Sequence, residues 1–259
     1  MRYLRILLEE VRVKLLETIS YKVDFIGQIV IISCMYIMIM FFNAQENMRS
    51  YYNVGKDMSS TMILIGYIFW TFSMNVLNSI GTEIEKEAVK GTLEQKFMSI
   101  LPYEVLIIGD FIASILTHII VVAVLILISK ILFNIKVLID IVSIIYLLIC
   151  LVGMYGMSLC LGAMSLYGKK ISNVYLIIQL FLLTVCNIVY KEADFYGINR
   201  IIPLTNAIDS IRKYYVSGIF YTNEFKYLVI SSFAWLLFGI IIFNISDKRT
   251  KIKGYLSCY

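Results

Sequence analysis

The sequence predicts an all-α integral membrane protein with six transmembrane helices, an N-terminal amphipathic surface helix and a short helix on a cytoplasmic loop. Three observations predict it. Of 259 residues, 60% are apolar and only 16% are charged, against roughly 25% charged in soluble domains. The charges are confined, leaving six long intervals without Asp, Glu, Lys or Arg. No stretch alternates polar and apolar residues as a membrane β-strand of about 10 residues would. With a mean hydropathy of +0.82, the composition excludes a soluble enzyme, a disordered chain and a collagen-like one.

Residues 1–24 read as the amphipathic helix. Leu4, Leu8, Val11, Leu15 and Ile19 fall on one side and Arg5, Glu9, Arg12 and Glu17 on the other. Glu10 and Lys14 form a favourable i,i+4 pair. Such a helix lies along a membrane surface or packs on a soluble partner. It is not a signal peptide, because the apolar stretch begins only at Phe25 and no small-residue cleavage site follows.

The spans are expected at 25–45, 58–82, 111–129, 141–168, 171–190 and 227–246, intervals of 21, 25, 19, 28, 20 and 20 residues. About 20 helical residues cross a hydrocarbon core of about 30 Å. Between spans two and three lies the largest cytoplasmic loop, 83–110, and between spans five and six an external segment, 191–226. In the latter, Leu204, Ile208, Ile211 and Tyr215 have helical spacing, with Pro203 starting a short helix and Gly218 ending it. The side that would carry both termini holds 14 Lys and Arg, the other side nine. Both termini are therefore expected in the cytoplasm, and the net charge of +5 is a topology signal rather than a sign of nucleic-acid binding. Cys34, Cys150, Cys160 and Cys186 fall inside spans and Cys258 in the tail, with neither a disulfide framework nor a zinc spacing.

Loop 83–110 is charged at its start, and Gly91 interrupts it. Thr92 is placed to cap a second short helix, with Glu94 near that helix's positive end. Such a helix could serve a soluble partner as a handle, or the segment could be a solvated loop. Directly after span two, the run Glu87-Ala-Val-Lys-Gly-Thr-Leu-Glu94 resembles the signature of ABC transporter permeases of type 2. The amphipathic start and the stretch from Ile202 to Gly218 are similar to that family's connecting helix and its re-entrant or surface helix. Ser99-Ile-Leu-Pro102 departs from the family's adjacent Ser-Pro pair.

The resemblance implies one permease domain over 1–259, in the cell membrane. Gly91, Thr92, Leu93 and Glu94 would open a coupling helix that docks on an ATPase subunit, and Glu83 and Glu87 would end span two and pass on its movement. The partners implied are two copies of an ABC ATPase, a second permease copy or paralogue, and the bilayer. No G-x-x-x-x-G-K-[ST] occurs, so ATP and Mg²⁺ are expected on the partner and no cofactor on this chain. An enzyme is not expected: His118 is the only histidine, and G-x-S-x-G is absent. His118 reads as a packing residue. The rival class is a secondary transporter or channel, but ion-coupled carriers place charges at mid-membrane and the six intervals hold none.

Polar stripes mark a route. Thr71, Asn75, Asn78 and Thr82 share one face of span two, and Gln179, Thr184 and Asn187 lie on span five. In the family these two spans line the dimer interface and the substrate path. The amides then contact cargo, or they bond helix to helix at roughly 0.6 kcal/mol each. The route is otherwise apolar and suits a drug, a lipid-linked molecule or an antimicrobial peptide. On span four, Gly153, Gly156, Ser158, Gly162 and Ala163 favour close helix packing.

Overall fold

The described residues fold into helices. In order these are α1 (Arg2–Ser20), α2 (Lys22–Phe41), α3 (Ala44–Tyr52), α4 (Lys56–Lys90), α5 (Leu93–Phe97), α6 (Tyr103–Phe133), α7 (Ile141–Gly168), α8 (Ser172–Val185), α9 (Pro203–Ser217) and α10 (Thr222–Lys253). The computed structural model describes residues 2–42, 44–97, 103–135, 140–168, 171–188 and 200–253, and no strand occurs among them. Among the described residues, five helices are long and apolar enough to cross a membrane: α2, α4, α6, α7 and α10.

Helix α4 is the axis of the fold. From Ser59 to Met74 every residue is buried, as expected of a helix that is apolar all round. It packs on α7, α6, α3 and α9. Helix α10 lies along α7 at backbone contact. A Cβ built on Gly239 would collide with the Gly156 carbonyl oxygen, and one on Gly153 would meet Pro203 and Ser232. On another face of α7, a Cβ on Gly162 would press on Ile80 of α4. The small residues of span four thus serve two interfaces at once.

Three expectations change. First, 171–190 is not a full-length apolar helix. Helix α8 has 14 residues, about 21 Å of rise against the roughly 30 Å of a hydrocarbon core. It ends because Asn187 turns left-handed, φ 53°. Second, the helices outrun the charge-free intervals: α4 continues through Glu83 and Glu87 to Lys90, and α6 begins at Tyr103. A charge ends an apolar run, but a helix continues where that charge finds a partner. The segment 83–110 is therefore largely helix rather than loop. Third, the buried face of α1 follows neither stripe: it mixes Val11 and Leu15 with Glu10, Lys14 and Glu17, and Glu9 and Arg12 stay exposed. Leu8, Val13, Leu16 and Ile19 are exposed, while Val11 is buried and Lys14 mostly so against the bundle.

Two elements go beyond the sequence reading. Helix α3 fills the 44–57 segment and buries Met48. In α9, residues 203–212 are buried apart from Asp209, so of the re-entrant and surface placements expected for it the helix does not take the surface one and is inserted among α4, α7 and α10.

Candidate functional site

At one end of the bundle, acidic and basic side chains from four helices converge. Glu83 and Glu87 occupy the last two turns of α4 and point inward, 8% and 5% exposed. Lys14 of α1 hydrogen-bonds Glu83 and lies 3.2 Å from Glu17 and 3.9 Å from Asp110 of α6. Lys96 of α5 stands 3.3 Å from Glu83, 3.4 Å from Glu87 and 3.4 Å from Glu10. Lys90 closes on Glu17 at 3.0 Å. The expected Glu10–Lys14 pair gives way to bonds between helices. Gly109 lets α1 approach α6, since a Cβ there would meet Glu10 at 3.2 Å.

The electrostatics hold these charges on. Burial works against the Lys14 ammonium, yet Glu83, Asp110 and Glu17 outweigh it and keep its pKa above the ordinary lysine value. Lys96 is raised in the same way: burial opposes its charge, and Asp110, Glu83, Glu87 and Glu10 overcome that. Burial likewise resists ionisation of Glu17, but the hydrogen bond from Lys90 and the charge of Lys14 hold its pKa below the ordinary glutamate value.

Helix α5 hangs from this cluster. Gly91 caps α4 in the left-handed region, φ 73°, and its N–H donates to Ala88. The Thr92 hydroxyl donates to the Glu87 carboxylate and backbone carbonyl. The cap expected of it toward α5 is thus replaced by a bond back to α4. Leu93 is 2% exposed and packs with Ile80, Ile84, Ala88, Leu106 and Phe243. It faces inward. The side chains of Glu94 and Phe97, and residues 98–102, lie outside the described residues.

Above the cluster opens a cleft of about 1090 Å³ between α1, α2, α4, α6 and α8. One wall follows α4 from Trp70 through Met74, Asn75, Asn78 and Thr82 to Glu83 and Lys90, about 30 Å of helix. Facing it are Asp110, Ser114, Thr117 and His118 of α6 and Gln179 of α8. The cleft exists because α2 leans away. Its buried residues, Ser33, Tyr36, Ile39 and Met40, all belong to its second half.

The structure thus brings Thr71, Asn75, Asn78, Thr82 and Gln179 to one cavity. The Thr71 hydroxyl is turned to its own helix, donating to Ile68. Thr184 and Asn187 do not join them. Thr184 is exposed and bonds back to Leu180 and Phe181. Asn187 lies beyond the end of α8, so helical spacing from Gln179 no longer applies. Its carbonyl accepts from Arg212, which also donates to Ile188 at 3.0 Å and Met62 at 3.4 Å. That arginine is fully buried.

Sequence reasoning missed Lys14, Lys96, Asp110 and Trp70. For the ions the signal was five carboxylates and three lysines spread over four segments, legible only once those segments meet. His118 does pack, edge-on to Phe72 at 4.8 Å, but it also lines the cleft. Among the described residues no group of three His, Cys, Asp or Glu could hold a metal ion. No protein-family model matches the chain, and no curated protein is similar to it.

Proposed function

We propose that the chain is the membrane-spanning permease subunit of an ATP-binding-cassette exporter in the cell membrane. It moves a hydrophobic or amphipathic substrate outward. Two copies of a separate ATPase bind ATP and Mg²⁺, and a second permease copy or paralogue completes the assembly. Both termini lie in the cytoplasm, and the segment 171–190 makes the sixth crossing. That crossing is supported by how α8 is held: Ile171 donates to Glu85 near one end of α4, and Asn187 and Ile188 are tied through Arg212 to Met62 near the other.

One observation carries the proposal. The unbroken helix that walls the cleft, α4, ends in Gly91 and holds α5 by buried ion pairs to Lys96. A push on α5 is thereby a push on the cleft wall. A single observation favours a proton-coupled carrier instead: Asp110 and His118 both face the cleft, and ionisable groups at membrane depth mark proton routes. Reconstitution separates the two. The chain, purified from its native membrane with whatever ATPase accompanies it, is placed in vesicles loaded with a lipophilic fluorophore. Efflux that needs ATP and the second polypeptide supports the exporter. Efflux by the chain alone, abolished by an ionophore that collapses the proton gradient, supports the carrier and overturns the exporter.

A further inference from the structure

Along the cleft the chemistry changes. Its charged lining residues, Lys14, Glu83 and Asp110 among them, gather at the end held by the ion cluster and are largely paired with one another. Deeper in, between Trp70 and Asn78 on α4 and around His118 on α6, the described lining residues carry no formal charge. What they carry is unspent hydrogen-bonding capacity. Trp70 Nε1, Asn75 Oδ1, Asn78 Oδ1 and both ring nitrogens of His118 are buried without a hydrogen-bond partner among the described residues. His118 is 1% exposed and Trp70 7%. Leaving one such group unpaired costs roughly 1–3 kcal/mol, so five at one site mark a place that something polar fills.

The unpaired groups also state what that is. The two amide oxygens need donors, and the indole N–H needs an acceptor. A neutral imidazole brings one of each. An ionic headgroup would leave water for a place without a counter-charge, at a heavy desolvation cost. An amide carries both kinds of group, N–H donors of the sort the asparagine oxygens need and a C=O acceptor of the sort the indole needs. Met74, Ile32 and Met35 on the walls leave room for an apolar tail.

We infer that the deep half of the cleft is a recognition site for an uncharged, amide-bearing amphiphile, read by Trp70, Asn75, Asn78 and His118. This deepens the transport reading and rests on it. Trp70 and His118 are the specificity residues that the polar stripes alone did not disclose.

The site carries its own reporter. The chain has two tryptophans, and Trp235 lies elsewhere, donating to the Ile201 carbonyl. Trp235→Phe leaves Trp70 as the only indole. In phosphatidylcholine nanodiscs, without ATP or any second subunit, three bromine-tagged quenchers with the same undecyl chain are titrated: 11-bromoundecanamide, 11-bromoundecanoate and the trimethylammonium analogue. The amide is expected to quench saturably and to bind roughly tenfold tighter than either ion, the effect of one or two satisfied buried groups. Asn78→Leu and His118→Phe should each remove most of that preference. Asn78→Asp, which keeps shape and adds a carboxylate, should shift it toward the ammonium. This last response is one that a purely structural asparagine would not give. Equal binding of all three quenchers, a preference for an ion, or an amide preference untouched by these substitutions overturns the inference. Because nothing here depends on ATP, selective binding by a chain that fails to transport would uphold the inference and defeat the exporter reading alone.

Discussion

Arg212 brings a guanidinium into the interior, close to Tyr52 and Asp209. It is held by three carbonyl oxygens, those of Met62, Asn187 and Ile188. Two of these follow the end of α8, where carbonyls lack partners within the helix. A planar fork with five donors suits that task, and the single point of a lysine does not. Space for it comes from Gly66, where a Cβ would stand 2.5 Å from the Arg212 Nη2. Replacing Arg212 by Leu should destabilise the protein by about 3 kcal/mol, since it strands buried carbonyls. Gly66→Ala should also destabilise it, but far less in the Arg212→Leu background, because the clash partner has gone. Thermal unfolding of the purified wild type, both single variants and the double variant measures this cycle. Strictly additive losses would show that the glycine and the arginine do not share the space. None of this was legible in the sequence. Arg212 sits among Asp209, Lys213 and tyrosines in a segment that reads as a half-solvated helix, and only the insertion of α9 between α4, α7 and α10 removes it from water.

Helix α1 illustrates what periodicity can and cannot tell. Its two stripes were legible, and so was its helical state. Which stripe faces the protein was not, because that depends on what the neighbouring helices offer. Here they offer Glu83 and Asp110, so a mixed face of Lys14, Glu17, Val11 and Leu15 docks, and Leu8, Leu16 and Ile19 face outward with Glu9 and Arg12. The docking has a pH window. Lys14 has its pKa raised above the ordinary 10.5, so its contribution is full below that value and disappears only as pH climbs through the higher folded one. Glu17 has its pKa lowered below the ordinary 4.5, so its contribution is full above that value and is lost as pH falls through the lower folded one. What Lys14 and Glu17 contribute to the attachment of α1 should therefore be constant from neutral pH to about pH 9 and be lost only in acid below about pH 4. Hydrogen exchange of α1 amides, followed against pH and corrected for intrinsic rates, measures it. Loosening between pH 6 and 8 would mean that other groups control the contact. The same logic explains the span boundaries. Charge-free intervals located the apolar helices, but Lys86, Lys90 and Asp110 did not stop the helices that contain them, because their charges meet partners or reach solvent at the bundle's end.

At the scale of the molecule, the cleft and the ion cluster are two ends of one helix. The polar face from Thr71 to Thr82 was legible because it repeats with helical spacing, and its wall in the cavity follows directly. The cavity itself was not, since it arises from the lean of α2, which no local pattern records. What joins them is the stiffness of α4 between Thr82 and Gly91, and that stiffness can be broken at a residue that forms none of the cluster's ion pairs. Lys86 is exposed, at the mouth of the cleft. Proline there removes one i→i−4 bond and clashes with the carbonyl at Thr82, at about 3 kcal/mol, and kinks the helix. Lys86→Ala removes the same charge but preserves the helix. If α4 is the lever between ATPase and cleft, Lys86→Pro in the assembled complex should leave ATP hydrolysis within about twofold of wild type and reduce efflux by roughly tenfold or more, with Lys86→Ala near wild type in both. Side-by-side measurement of phosphate release and fluorophore efflux in the same vesicles reads the two quantities. Efflux that survives the proline would show that movement reaches the cleft by another path, through α1 or α6. Parallel loss of hydrolysis would show that the kink had undone the seat of α5 and not the transmission beyond it.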